Sequence, residues 1–74
     1  RKARLIGALK ANDGRQDHLR AVCEWRDGDL WARPFRAQDS SMQKLFAEAD
    51  ALIVRKPHAP PAEDGSVVEI LLLD

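Results

Sequence analysis

Polar and apolar residues alternate most regularly in the segment His18–Trp25, and this period of two is typical of a half-buried strand. Asp27-Gly28 follows, and this pair supplies the positive φ that a tight primed turn requires. The segment Leu30–Phe35 then continues the apolar pattern. The sequence therefore predicts a β-hairpin in which Arg20 lies opposite Phe35.

Three further apolar segments predict strands, and turn-forming or helix-breaking residues separate them. The segment from 56 to 62 carries three prolines and is expected to be extended rather than helical. Turns are expected at Asn12-Asp13-Gly14 and at Asp64-Gly65. The predicted strands are Ala3–Lys10, Ala51–Arg55 and Val67–Leu73.

One helix is predicted, from about Ser41 to Ala49. Ser40 precedes it and Gln43 follows three residues later, which is the spacing of a capping box. Apolar residues then recur at i, i+3, i+4 and i+7 and form one stripe along the helix. We expect this stripe to join the core. The residues assigned to the core, together with Trp25 of the hairpin, are Met42, Leu45 and Phe46.

The order strand, hairpin, helix, strand, strand predicts a mainly β fold, a small barrel or bent β-ribbon with one short helix packed on it. One helix is too few for the crossovers of a parallel sheet. We expect residues 1–74 to form a single domain, and a domain this short buries only about 60% of its unfolded surface. The start Arg1-Lys2-Ala3-Arg4, without methionine, predicts a piece of a longer protein.

Composition argues against several classes of function. The formal net charge is zero, whereas nucleic-acid-binding domains carry a basic stripe, and no apolar run is long enough for a membrane span. Cys23 is the only cysteine, which excludes an internal disulfide and favours an intracellular origin. His18 and His58 lack the spacing of zinc ligands, and the aspartates fall mostly at turns, so no metal site is predicted.

A set of short motifs occurs in a fixed order through almost the whole chain. In order and spacing these motifs resemble the C-terminal domain of the MoeA family of molybdopterin molybdenumtransferases, which is related to the E domain of gephyrin. The motifs that carry the resemblance are Gly14–Arg20, the Asp-Gly hairpin, Ala32–Pro34, Gln38–Ser40, Ala49–Val54 and Gly65–Leu73.

The resemblance implies the C-terminal domain of a multidomain enzyme that works as a cytoplasmic homodimer. Enzymes of this family insert molybdate into adenylylated molybdopterin, release AMP and use Mg²⁺, which we expect the other domains to hold. The resemblance also implies a small bent β-ribbon of the beta-clip type. In the dimer, this domain would face the central domain of the second subunit across the active-site cleft. By itself it would hold no cofactor and perform no chemistry.

Two residues carry the expected binding role. The cleft arginine of the family falls on Arg20, and its cleft serine falls on Ser40. A guanidinium presents a planar fork of donors to oxyanions, and a helix start presents unpaired N–H groups. From the residues alone, the pattern favours a solvated strand arginine and a plain helix cap, and the binding role rests on the resemblance. Arg15, after the first turn, and Ser41 are further candidates for substrate binding.

Three positions and the loop Pro57–Pro61 depart from the family pattern. Asp39 replaces the usual glycine and adds a negative charge beside the expected oxyanion site, Ser41 replaces a common glycine or histidine, and His18 replaces an aromatic residue. Asp39 favours a second hypothesis, in which the chain is a non-catalytic structural or interaction module of the same fold. A molybdopterin-binding domain upstream in the same reading frame would distinguish the enzyme from the module.

Overall fold

The computed structural model describes residues 1–35 and 49–73. Alternation of inward and outward side chains produces five short strands in this part of the chain. The mainly β fold predicted from the sequence is confirmed. The strands are β1 (Lys2–Leu5), β2 (Asp17–Arg26), β3 (Asp29–Pro34), β4 (Ala51–Arg55) and β5 (Val67–Leu72).

The five strands close into a barrel in the order β1-β3-β2-β4-β5, with β5 returning to β1. All pairs are antiparallel except β1 with β3, which is a short parallel pair. The hairpin register is the predicted one, because Ala21 pairs with Pro34 and the next amide, of Phe35, donates to the Arg20 carbonyl at 3.0 Å. Gly28 has a φ of 84° in the turn, as a tight primed turn requires.

The core lies inside the barrel and is built from small and branched apolar side chains. Ile53 of β4 and Ile70 of β5 are paired and fully buried, and Leu19 of β2 packs beside them. Four alanines, one on each of β1 to β4, are also buried. A barrel of five strands has a narrow interior, and these small side chains allow opposite walls to approach each other.

The first strand is shorter than predicted. β1 ends at Leu5 rather than Lys10, because the chain turns at Gly7, whose φ of 91° lies in the left-handed region. The Gly7 amide donates to the Asp64 carboxylate at 2.7 Å, and this bond holds the turn against the loop that precedes β5. Residues 6–10 therefore belong mainly to a loop.

The assignment of Trp25 to the core is wrong, since this side chain is 65% exposed. β4 begins at Ala51, opposite Ala21, so β2 from Val22 onward pairs with β3 alone. The Arg1 guanidinium lies over the indole of Trp25, 5.3 Å from the ring centroid, in a cation–π contact. The alternation of polar and apolar residues indicated which face of β2 carries Trp25. It did not indicate that β4 starts too late to cover this residue.

The strands predicted at 51–55 and 67–73 are confirmed, the second ending one residue earlier. The proline-containing segment 56–62 has no helix, as expected. The predicted helix up to residue 48, with Met42, Leu45 and Phe46, lies outside the described residues. Within residues 1–35 and 49–73 there is no helix with the length and apolar character that a membrane crossing requires.

Candidate functional site

Arg20 lies on the outer face of β2. Its strand neighbours Leu19 and Ala21 pack toward the core, so the alternation of the strand directs Arg20 outward. Across the sheet Arg20 is opposite Leu52 of β4, which in turn is opposite Leu71 of β5. Arg20 and Leu52 are half-buried, and Leu71 is exposed. The arginine therefore emerges beside an apolar strip along which its carbon stem can pack.

The main chain of Arg20 also lies where the segment 36–48 begins and ends. The Phe35 amide donates to the Arg20 carbonyl at 3.0 Å, and the Asp50 amide donates to the Ala21 carbonyl at 2.9 Å. The two flanks of the segment are thus fastened to consecutive residues of β2. We call this region, which comprises Arg20, Ala21, Phe35 and Asp50, the segment end.

The predicted binding residues Ser40 and Ser41 belong to the segment 36–48 and lie outside the described residues. The pairing of Arg20 with Ser40 in one site therefore stays a prediction, as does the role of Ser41.

Asp50 connects three strands at the segment end. Its carboxylate Oδ2 accepts from the Cys23 amide at 2.9 Å, and its carbonyl accepts from the Leu73 amide at 2.8 Å. With the bond from its own amide to Ala21, Asp50 thus ties β2 to the end of β5. The carboxylate extends the β2–β4 ladder by one hydrogen bond beyond the start of β4.

Cys23 is half-buried and packs against the core, in keeping with its expected role as a small apolar residue. Burial raises the pKa of its thiol above the ordinary value, the negative charge of Asp50 raises it further, and the Arg1 guanidinium partly opposes both. A thiol with a raised pKa is mostly protonated at neutral pH and is therefore a poor nucleophile. Cys23 does not point to covalent catalysis.

Arg15 lies beyond the opposite end of the β2–β4 ladder. It is exposed in the loop before β2, and its amide donates to the Asp13 carboxylate at 2.9 Å. The first residue of β2, Asp17, is already three residues or about 10 Å from Arg20 along the strand. The main chains of Arg15 and Arg20 are therefore well separated, and the predicted binding role of Arg15 stays a prediction.

Arg55 is a buried charged residue that the sequence analysis did not single out. It is 8% exposed, and its Nη2 donates to the carbonyls of Lys10 and Pro60, both at 2.8 Å. It continues the inward-facing series that begins with Ala51 and Ile53. A guanidinium thus closes the barrel where an apolar side chain is the usual choice.

Asn12 holds the same region together. Its Nδ2 donates to the carbonyls of Arg15 at 2.6 Å, Arg55 at 3.1 Å and Lys56 at 2.9 Å. An amide group has two hydrogens, so these three contacts share them. One side chain therefore fixes two loops that are distant in sequence. We call this region, which comprises residues 6–16, Arg55 and residues 56–66, the loop end.

The two missed residues differ in the signal that they leave in the sequence. The period-two pattern of Ala51–Arg55 assigns Arg55 to the inner face, and a charged residue there is uncommon enough to have marked it. Asn12 has no comparable signal, because its acceptors come from a loop more than 40 residues away and from a local turn.

Among residues 1–35 and 49–73, no group of three or more His, Cys, Asp and Glu side chains is arranged to hold a metal ion. The ion pairs found there, Arg4 with Asp29 and Arg26 with Glu24, are solvent-exposed and contribute little to stability.

The chemistry available at the segment end is binding rather than proton transfer. Arg20 is a permanent cation whose N–H groups match the oxygens of phosphate and related oxyanions. It acts by its position and its charge.

Comparison with known families places these features in context. The family model described as the MoeA C-terminal region, domain IV, matches residues 2–73 and so spans all five strands. A search of curated proteins gives no match to this chain. The family match confirms the resemblance that the ordered motifs indicate. The chain therefore belongs to the family of MoeA C-terminal regions (domain IV), a family of molybdenum cofactor biosynthesis.

Proposed function

We propose that this chain supplies oxyanion-binding residues to an enzyme that inserts molybdate into adenylylated molybdopterin. The observation that carries the proposal is the position of Arg20. This arginine lies on the outer face of β2, directly beside the main-chain bonds that fasten both flanks of the segment containing Ser40. Family membership supplies the pathway, and this adjacency supports a shared role for Arg20 and Ser40.

In the proposed mechanism Arg20 donates N–H groups to oxygens of molybdate or of the adenylylated substrate. Its charge offsets the negative charge that collects when two anions are held together. Ser40, at the start of the predicted helix, adds a hydroxyl and backbone donors, and Ser41 and Arg15 contribute further contacts. The rate gain comes from positioning and charge stabilisation.

The proposed setting is a cleft between two subunits of a cytoplasmic homodimer. The chain lines one wall, and the central domain of the second subunit lines the other. Mg²⁺ belongs to those other domains in this proposal. An anion held between two subunits needs binding groups from both. In this proposal, this chain therefore supplies a cation to the cleft and no catalytic group.

The proposal is tested by Arg20→Ala in the full enzyme that contains this chain. We expect the rate of molybdate insertion to fall about 100-fold, which is typical for removal of one group that stabilises an oxyanion. Arg20→Lys keeps the charge but not the planar fork, so it should recover only part of the rate. The measurement is single-turnover conversion of adenylylated molybdopterin at several molybdate concentrations.

Arg33→Ala is the matched control, because Arg33 is an exposed arginine on the neighbouring strand β3. It should leave the insertion rate unchanged. Circular dichroism of each variant establishes that the fold is retained. An Arg20→Ala enzyme that is folded and fully active would end the proposal.

A second candidate function is a structural or interaction module of the same fold. The exposure of Trp25 and of Leu71, Leu72 and Leu73 favours it, because a run of exposed apolar residues marks a contact surface. The two candidates differ in their surroundings. A molybdopterin-binding domain in the same reading frame supports the enzyme, and its absence supports the module.

A further inference from the structure

A hollow of about 320 Å³ lies between the β4–β5 sheet and the loop that connects these strands. Its walls are largely apolar and include Val54, Pro60, Pro61 and Val67. This volume is at the lower end of the range found for small-molecule sites. The hollow lies beside the loop end, and none of its lining residues belongs to the segment end.

Three charged residues, Arg55, Lys56 and Glu69, also line the hollow. Lys56 and Glu69 are exposed, whereas Arg55 is 8% exposed. Salt screens exposed charges strongly and buried charges much less. Arg55 therefore dominates the electrostatics of the hollow, and the three side chains together give a net charge of +1.

Only one of the three guanidinium nitrogens of Arg55 donates hydrogen bonds within the described part of the chain. Nη2 donates to two carbonyls, but Nε and Nη1 have no partner among residues 1–35 and 49–73, and no carboxylate of those residues lies within 4 Å. No fully buried side-chain nitrogen or oxygen in the described part of the chain lacks a partner. Nε and Nη1 are therefore in contact with solvent although the residue as a whole is buried.

A buried charge without a counter-charge is costly, and carbonyl dipoles offset only part of that cost. We propose that the hollow is a binding site for a small organic monocarboxylate, whose carboxylate accepts from Nε and Nη1 of Arg55 and whose apolar body packs on Pro60, Pro61 and Val67. This site is independent of the molybdate proposal, because it uses a different arginine, at the opposite end of the β2–β4 ladder from Arg20.

The lining favours a monoanion with an apolar body over phosphate or another multiply charged oxyanion. A dianion gains most from several cations, and here Glu69 opposes the second one. Apolar walls also add nothing to the binding of an ion that has no apolar surface. The ligand class therefore follows from the single net charge and the proline and valine walls.

The test is titration of the 74-residue chain with 3-methylbutanoate, followed by nuclear magnetic resonance of the amide and arginine Nε–H groups. We expect binding at about 1–10 mM, with shifts at Arg55, Lys56 and Val67. Inorganic phosphate and the neutral alcohol 3-methylbutan-1-ol, at the same concentrations and ionic strength, should bind at least about tenfold more weakly. Phosphate lacks the apolar body, and 3-methylbutan-1-ol lacks the charge.

Variants separate this site from general attraction of anions. Arg55→Met should weaken 3-methylbutanoate binding about tenfold or more, since hydrogen bonds to a charged group are lost. Arg33→Met removes an exposed arginine elsewhere and should have no effect. If Arg55→Met does not fold, Glu69→Gln decides, because removing the opposing charge should tighten binding about twofold.

Three results would each overturn the proposal: no saturable shifts in the unaltered chain, equal weakening by Arg55→Met and Arg33→Met, or no tightening by Glu69→Gln. Phosphate binding as strong as that of the carboxylate would overturn the assignment of the ligand class. Shifts confined to the residues around Arg20 would overturn the assignment of the binding site to the hollow.

Discussion

The two ends of the β2–β4 ladder differ in how many side-chain hydrogen bonds are added to their backbone bonds. At the segment end the contacts are mainly between backbone groups, with amides of Phe35 and Asp50 donating to β2 and one carboxylate adding to the ladder. At the loop end the side chains of Arg55 and Asn12 make five hydrogen bonds to carbonyls. Four backbone hydrogen bonds also join residues 9–13 to residues 58–62 at the loop end, so the two side chains there add to a backbone network.

This difference predicts unequal tolerance to substitution. Backbone bonds survive most changes of side chain, so the region beside Arg20 can vary its surface residues without losing its geometry. The loop end also has backbone bonds between its two loops, but removal of Arg55 or Asn12 there takes away side-chain donors from two or three carbonyls at once. Variation suited to a binding surface is thus easier to accommodate beside Arg20 than beside Arg55.

The largest effect is expected for Arg55→Ala. It leaves the Lys10 and Pro60 carbonyls without donors and opens a cavity, and we expect a loss of about 3 kcal/mol in the free energy of unfolding. Urea unfolding followed by tryptophan fluorescence measures it. Arg33→Ala, at an exposed position, should change stability by less than about 0.5 kcal/mol. Equal effects of the two variants would contradict the structural role of Arg55.

The fold was largely predictable because alternation and turn chemistry are local signals. The hairpin register followed from Asp27-Gly28 and the apolar pattern, and β4 was predicted to the residue. The exposure of Trp25 was not predictable, because it depends on where β4 starts relative to β2. The length of a neighbouring strand is a property of tertiary pairing that no local pattern encodes.

Asn12→Ala is expected to have the next largest effect. It removes donors to three carbonyls at the loop end, at a cost of about 2 kcal/mol, since partial exposure lets water replace some of the bonds. Gln16→Ala is the control, an exposed residue of the same loop. Thermal unfolding compares the two. A melting temperature for Asn12→Ala within a degree or so of that control would show that the side chain does not hold the two loops.

The candidate sites differ in predictability for a related reason. Arg20 was found through an ordered set of motifs, because a family pattern carries long-range information that alternation lacks. Arg55 and Asn12 belong to no such set, and their partners come from loops that meet only after folding. A charge on the inner face of β4 was the one signal available in advance.

Asp50→Ala tests the segment end and should cost less, about 1 kcal/mol. It removes only the bond from the Cys23 amide to the carboxylate, while the backbone bonds to Ala21 and Leu73 remain. Asp50→Asn keeps an oxygen acceptor and should recover most of the loss. Urea unfolding of both variants checks this. A cost for Asp50→Ala equal to that of Arg55→Ala would remove the contrast between the two ends.

The smallest effect concerns the thiol at the segment end. Burial and the Asp50 charge raise the pKa of Cys23 above its ordinary value of 9.0, so Asp50→Asn should lower that pKa while burial keeps it raised. Alkylation by iodoacetamide at pH 8 should then be about twofold faster in the variant, because the thiolate is the reactive form. An unchanged pH–rate profile would show that the Asp50 charge does not act on the thiol.

The same raised pKa affects stability with a definite sign. The unfolded thiol ionises first, so its contribution to folding is fully present below about pH 9 and is lost as the pH rises through the folded-state pKa. Cys23→Ala should therefore lose less stability than the unaltered chain between pH 8 and pH 10, with the Asp50→Asn chain in between. Since Cys23 is the only cysteine, this difference in stability between pH 8 and pH 10 comes from the thiol beside Asp50. Removal of the loop-end contacts by Asn12→Ala should leave it unchanged.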